Sequence, residues 1–113
     1  MESPMEDDDE DLAAEDLAAL AKALAHPARV RILRHIIAND ACFFGNLADA
    51  VALAPSTISQ HVSVLKGAGL LHDGGTDGRP AYCLNHEKLR RLIDLLEAVD
   101  ATVPPHRRCC DKK

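Results

Sequence analysis

The residues of this 113-residue chain best able to do chemistry are its four cysteines: Cys42, Cys83 and the adjacent pair Cys109 and Cys110. The adjacent pair lies in the closing stretch HRRCCDKK, which is too polar for a core. Neighbouring cysteines are poorly placed for an ordinary disulfide, yet two such thiolates both reach one soft, thiophilic centre. Arg107, Arg108, Lys112 and Lys113 favour the thiolate form, an effect that solvent keeps modest in an exposed tail. Cys42, beside Phe43 and Phe44, reads first as a small buried hydrophobe, and Cys83, in AYCL, as a strand residue packing inward, with reactive-thiol and ligand roles open. A thiol enzyme would need a nucleophile in a pocket beside a base. The chain has no Cys-x-x-Cys motif and no glycine-rich cofactor loop, so an enzyme is not expected.

A second chemistry lies in PSTISQHVSVLKGAG, residues 55 to 69. Ile58, Val62 and Leu65 recur at helical steps, which leaves Ser56, Thr57, Ser59, Gln60, Ser63 and Lys66 on the other side. Ser56, Thr57 and Gln60 at the start of such a helix offer hydroxyl and amide groups to base edges in a major groove. Ser59 and His61 suit phosphate or base, and Lys66 phosphate. Arg79, in the glycine-rich stretch that follows, suits the nucleic-acid backbone or minor groove.

The formal net charge of -5 argues against a nucleic-acid partner until the chain is divided. Residues 1 to 16 hold nine acids (Glu2, Glu6 to Asp11, Glu15 and Asp16) and no Lys or Arg, so the rest carries 13 basic and 9 acidic residues, or +4. A mildly basic body permits DNA binding. No apolar run approaches the roughly 18 residues that span a bilayer, and the start is acidic where a secretory signal is basic, so the expected location is the cytoplasm, away from membranes. Thiols there stay reduced, and no disulfide framework is expected.

The elements that position these residues follow from periodicity. Residues 1 to 11 read as a flexible acidic leader, and Leu12, Leu17, Leu20 and Leu24 as the stripe of a first helix that His26-Pro27 ends. ARVRILRHII is a second helix with Val30, Ile32, Leu33, Ile36 and Ile37 inward; Phe44, Leu47, Ala48 and Val51 suggest a short third. A fourth runs from Pro55 to Ala68. Leu70 to Asp73 and Ala81 to Leu84 form a two-stranded hairpin, and His86 to Ala101 a last helix with Leu89, Leu92, Ile93, Leu96 and Val99 on one side. The expected fold is mostly α, a winged helix-turn-helix with a two-stranded wing over residues 12 to 101, followed by a basic cysteine-containing tail, 102 to 113.

Three stretches, LAKALAHPARVRILRHI, LAPSTISQHVSVLKGAGLL and the wing ending GRPAYCLN, make the chain similar to the ArsR (ArsR/SmtB) family of metal- and metalloid-responsive repressors over most of residues 18 to 85. The resemblance implies a homodimer joined through its first and last helices, with recognition helices in successive major grooves of duplex operator DNA. It also implies an inducer site. The Cys-Val-Cys motif that arsenite sensors carry in the third helix falls here on Phe43 and Gly45, so that site is absent. The family's zinc site on the last helix would draw on His86, Glu87, Asp94 and Glu97, which lack a second histidine at helical spacing.

What remains resembles family members with C-terminal thiol sites: Cys109 and Cys110 with Cys83 as a trithiolate for As(III) or Sb(III), or two thiols for methylarsenite. The last helix carries the chain about 22 Å from Cys83. Residues 102 to 108 span at most about 23 to 25 Å, so a site shared across the dimer is easier than one within a subunit. The expected function is a repressor released by trivalent arsenic or antimonite, with no obligatory cofactor. The alternatives are zinc or cadmium sensing that involves His86 or His106, and redox sensing by Cys109 and Cys110. A winged helix that binds only protein is a further one.

Overall fold

The computed structural model describes residues 4–74 and 81–104. In chain order these form α1 (Pro4–Ala23), α2 (Pro27–Ala38), β1 (Cys42–Phe44), α3 (Leu47–Val51), α4 (Pro55–Gly67), β2 (Leu71–Asp73), β3 (Ala81–Leu84) and α5 (His86–Asp100). This is the winged helix-turn-helix that the sequence predicts, with two differences.

Helix α1 begins at Pro4, so the acidic run from Glu6 to Asp11, expected as a flexible leader, is helical. A proline is tolerated in a first helical turn, and carboxylates near that end complement the helix dipole. The second difference is β1. Cys42 to Phe44 pair with β3, giving a three-stranded antiparallel sheet in the order β1-β3-β2 where a hairpin was expected. Asp40 and Ala41 take left-handed backbone angles that turn the chain out of α2, and Asn46 then caps α3. A three-residue strand is too short to show a period-two pattern, which is why the sequence conceals it.

The core is aliphatic. Ile32, Ile36, Leu47, Leu65, Leu70 and Leu71 are fully buried, and Leu20, Leu33, Ile58, Val62, Leu92 and Leu95 join them. Val30 and Ile37, expected inward, are instead exposed, since the face of α2 that packs is Ala28, Ile32, Leu33 and Ile36. Likewise Leu95 replaces Leu96 and Val99 on the packed side of α5. Helix α1 lies against α5, where Arg91 donates to Asp16 at 3.0 Å.

Candidate nucleic-acid interface and thiol pair

Helix α3 is five residues long and depends on its cap: the Asn46 side-chain oxygen accepts from the amides of Ala48 at 2.9 Å and Asp49 at 3.4 Å. Its other end turns at Ala52, which is left-handed, and the Leu53 amide donates back to Ala48. Pro55 then opens α4, whose missing amide hydrogen costs nothing in the first turn. Ile58, His61, Val62 and Leu65 turn inward, and Leu47 and Ala48 of α3 are buried with them. Ser56, Ser59, Gln60 and Ser63 stand exposed along the outer side of α4, with Thr57 half-buried at its start. This is a short row of hydroxyl and amide groups on a rigid helix. Such a row can donate to and accept from base edges.

His61 does not belong to that row. It is 8% exposed, and its Nδ1 accepts from Arg29 Nε at 3.2 Å. The His26 ring lies 4.5 Å away, centroid to centroid, and Arg29 is also held by the carbonyls of Lys22 and Ala23. Burial first, then the positive charge of His26 and Arg29, lowers the His61 pKa below its ordinary value. His61 is therefore a neutral tie between α4 and α2, and the expected DNA contact is corrected. The signal was in the sequence, because residues 58, 61, 62 and 65 share one helical face.

Lys66 is also engaged. Its Nζ lies 2.6 Å from Asp73 Oδ1 on β2 and 5.8 Å from the centre of the Tyr82 ring on β3. It ties α4 to the wing strands, and its charge is shared with Asp73. Arg79 lies outside the described residues.

The cysteines depart furthest from expectation. Cys42 and Cys83 face each other across β1 and β3 with a Cα–Cα separation of 4.1 Å, and their sulfurs are joined in a disulfide. The Leu84 amide donates to the Ala41 carbonyl beside them, which makes the Cys pair a non-hydrogen-bonded position, where facing side chains come closest. Cys83 is 5% exposed and Cys42 half-buried. Separate, reduced packing roles for Cys42 and Cys83 are thus corrected: each is the other's partner. A trithiolate of Cys83 with Cys109 and Cys110 would first require that bond to open. Cys109 and Cys110 themselves lie outside the described residues, as does His106. On α5, His86, Glu87, Asp94 and Glu97 are exposed, and Asp94 is bridged by Arg90. Among the described residues no group of three or more His, Cys, Asp or Glu could hold a metal ion. Nor, among them, is any helix long and apolar enough to cross a membrane.

Comparison with known proteins places this geometry. A protein-family model described as a helix-turn-helix domain matches residues 24–73. The HTH-type transcriptional regulator CmtR of Mycobacterium tuberculosis is 36% identical over 92 residues, which cover 78% of this chain and 77% of CmtR. The NMR structure of CmtR, titled a cadmium metal-sensor, superposes with a TM-score of 0.54 at 33% identity, covering 86% of this chain and 99% of that one. The crystal structure of AntR, titled an antimony-specific transcriptional repressor, gives 0.54 at 26% identity, covering 79% and 84%. The fold alone is shared with a homodimeric winged helix-turn-helix domain from Mycobacterium bovis, at a TM-score of 0.64 and 20% identity over 96% of each chain. The row on α4, the wing behind it and these relatives together make the chain a DNA-binding transcriptional regulator, not an enzyme, that belongs to the ArsR family.

Proposed function

We propose that the protein is a homodimeric repressor that binds operator DNA through α4 and releases it when trivalent arsenic or antimony bonds to cysteine thiolates. The observation that carries the DNA half is the exposed row Ser56, Ser59, Gln60 and Ser63 on a helix fixed from behind by Ile58, His61, Val62 and Leu65. Thr57 and, once freed from Asp73, Lys66 complete the set, and Arg79, which falls between β2 and β3 in the sequence, is assigned to backbone or minor groove. The thiolates assigned to the inducer are Cys109 and Cys110, with Cys83 joining only when its bond to Cys42 is open. The likeness to an antimony-specific repressor supports this inducer class. The likeness to a cadmium sensor favours a second reading, in which a soft divalent metal uses the same thiols.

A ligand releases DNA only if it binds the DNA-free state better, and about 2 to 3 kcal/mol of such coupling gives tens- to hundredfold derepression. The test is fluorescence anisotropy of the reduced protein on an operator duplex selected from a random pool, titrated with arsenite, methylarsenite, antimonite, cadmium and zinc. Release by the arsenicals or antimonite from wild type, but not from Cys109→Ser/Cys110→Ser, supports the proposal. Release by cadmium alone replaces it with the second reading, and release from the double variant by the same arsenicals moves the inducer site elsewhere.

A further inference from the structure

We propose that Cys42 and Cys83 form a reversible thiol–disulfide switch that answers to peroxide and sets the operator affinity. This goes beyond metalloid release and uses neither tail cysteine. Three observations converge on it. The two residues occupy a non-hydrogen-bonded pair of β1 and β3, so their sulfurs meet with no rearrangement of the backbone. The bond joins the wing to the strand that leads into the helix-turn-helix: β1 runs through Gly45 and the Asn46 cap into α3, and β3 is the returning strand of the wing. Finally, a DNA-binding protein works beside DNA, in compartments where thiol reductants keep structural disulfides rare and those that form are mostly transient sensors.

The pair is asymmetric in the way such a switch requires. Cys42 is half-buried and open to a small oxidant, whereas Cys83 is 5% exposed and lies beneath Gly74, where a side chain would run into its sulfur. The Cys42 thiolate attacks one oxygen of hydrogen peroxide, breaking the O–O bond and giving a sulfenic acid and, after protonation, water. The Cys83 thiol gives up its proton, and the resulting thiolate attacks the Cys42 sulfur; the S–S bond forms, the S–O bond breaks, and the leaving hydroxide takes up a proton, equal to the one Cys83 released, to become a second water. Two electrons pass from the two sulfurs to the peroxide. In reverse, an external thiolate attacks the Cys42 sulfur and expels Cys83.

When the bond is open, the wing is still joined to β1 by the ladder and to α4 by Lys66 and Asp73, but the covalent tie between wing and helix-turn-helix is gone. The oxidised form thus ties the wing covalently to the segment that leads into α3 and α4, whereas the reduced form holds wing and α4 together by the ladder and that ion pair alone. Operator affinity must follow to the extent that DNA contacts both.

The experiment uses the full chain carrying Cys109→Ser/Cys110→Ser, so that tail thiols contribute nothing. The protein is reduced, oxidised with hydrogen peroxide and reduced again with dithiothreitol. Peptide mass mapping follows the Cys42–Cys83 link, and anisotropy on the selected operator follows affinity. The expected result is a peptide pair linked and two hydrogens lighter after peroxide, with a change in Kd of about tenfold or more that dithiothreitol reverses. Cys42→Ser in the same background should hold one affinity throughout; if it fails to fold, the oxidised and reduced forms of the parent decide alone. No Cys42–Cys83 peptide, affinities within about twofold of each other, or operator binding in neither form overturns the proposal. Because metalloids are absent from this experiment, a missing peptide or an unchanged affinity leaves the arsenical titration intact, whereas operator binding in neither form overturns the repressor reading as well.

Discussion

At the scale of residues, polar side chains on one helix have divided between two tasks. Ser56, Ser59 and Gln60 face outward, whereas His61, one position on, is enclosed with Arg29 and His26. Arg29 Nε donates to His61 Nδ1, so the fold needs the imidazole neutral, with its proton on Nε2. The folded pKa is lowered, by burial first and then by the charge of His26 and Arg29. The unfolded chain therefore takes up this proton first as pH falls, and His61's contribution is complete above the unfolded value of 6.5 and lost below it. We expect urea unfolding to show that the stability difference between wild type and His61→Gln is constant above neutrality and changes as pH is lowered through 6.5 toward 5; a difference independent of pH would refute this. Lys66 makes a parallel case. Both it and Asp73 are solvent-exposed enough that Asp73→Asn should change stability by no more than about 1 kcal/mol. The freed lysine should then steepen the salt dependence of operator binding by about one phosphate contact, read from anisotropy at several salt concentrations.

Among the elements, those with strong periodicity or fixed punctuation were legible in the sequence. Pro55, the Ile58–Val62–Leu65 spacing and the glycines after Lys66 define α4, and the structure ends it where they indicate. There the Gly69 amide donates to the Lys66 carbonyl and the Leu70 amide to that of Leu65, the paired bonds of a left-handed cap, with Gly69 at φ +84°. A Cβ at Gly69 would also lie 3.0 Å from Lys88 Cε, an end of a flexible side chain that gives way. Gly69→Ala is accordingly expected to cost about 1 to 2 kcal/mol of stability through the backbone alone, measurable by urea unfolding. Strand β1 was not legible, because its stability comes from pairing with a strand some forty residues away and not from its own three residues. The cysteine pair was hidden for the same reason: Cys42 and Cys83 become neighbours only through a register that no local pattern encodes. His61 was legible by spacing, but its polarity drew it toward the DNA-facing set.

For the whole molecule, the apolar residues left outside carry the argument. Leu12 is 61% exposed, Leu96 52% and Val99 54%, on helices α1 and α5 that already pack together. Alongside them, Ala13, Leu17, Ala98 and Thr102 line a shallow groove between these helices. Burying one such leucine or valine fully gains about 1.5 to 3 kcal/mol, so the same patch on two copies, joined about a twofold axis, is favourable several times over. In the proposed repressor, such a dimer would offer two α4 helices to two half-sites about one turn of DNA apart. Leu96→Glu/Val99→Glu places two carboxylates in that contact at positions the protomer core does not use. We expect the protomer to remain folded by circular dichroism and to sediment as a monomer. We also expect its operator affinity to fall by about a hundredfold or more, since the second half-site is no longer tethered to the first. Because half-site recognition itself is untouched, the salt dependence should fall to that of one protomer's phosphate contacts. A dimer that persists in this variant with undiminished operator affinity would place the interface on another face and leave the exposed stripe of α5 without a partner.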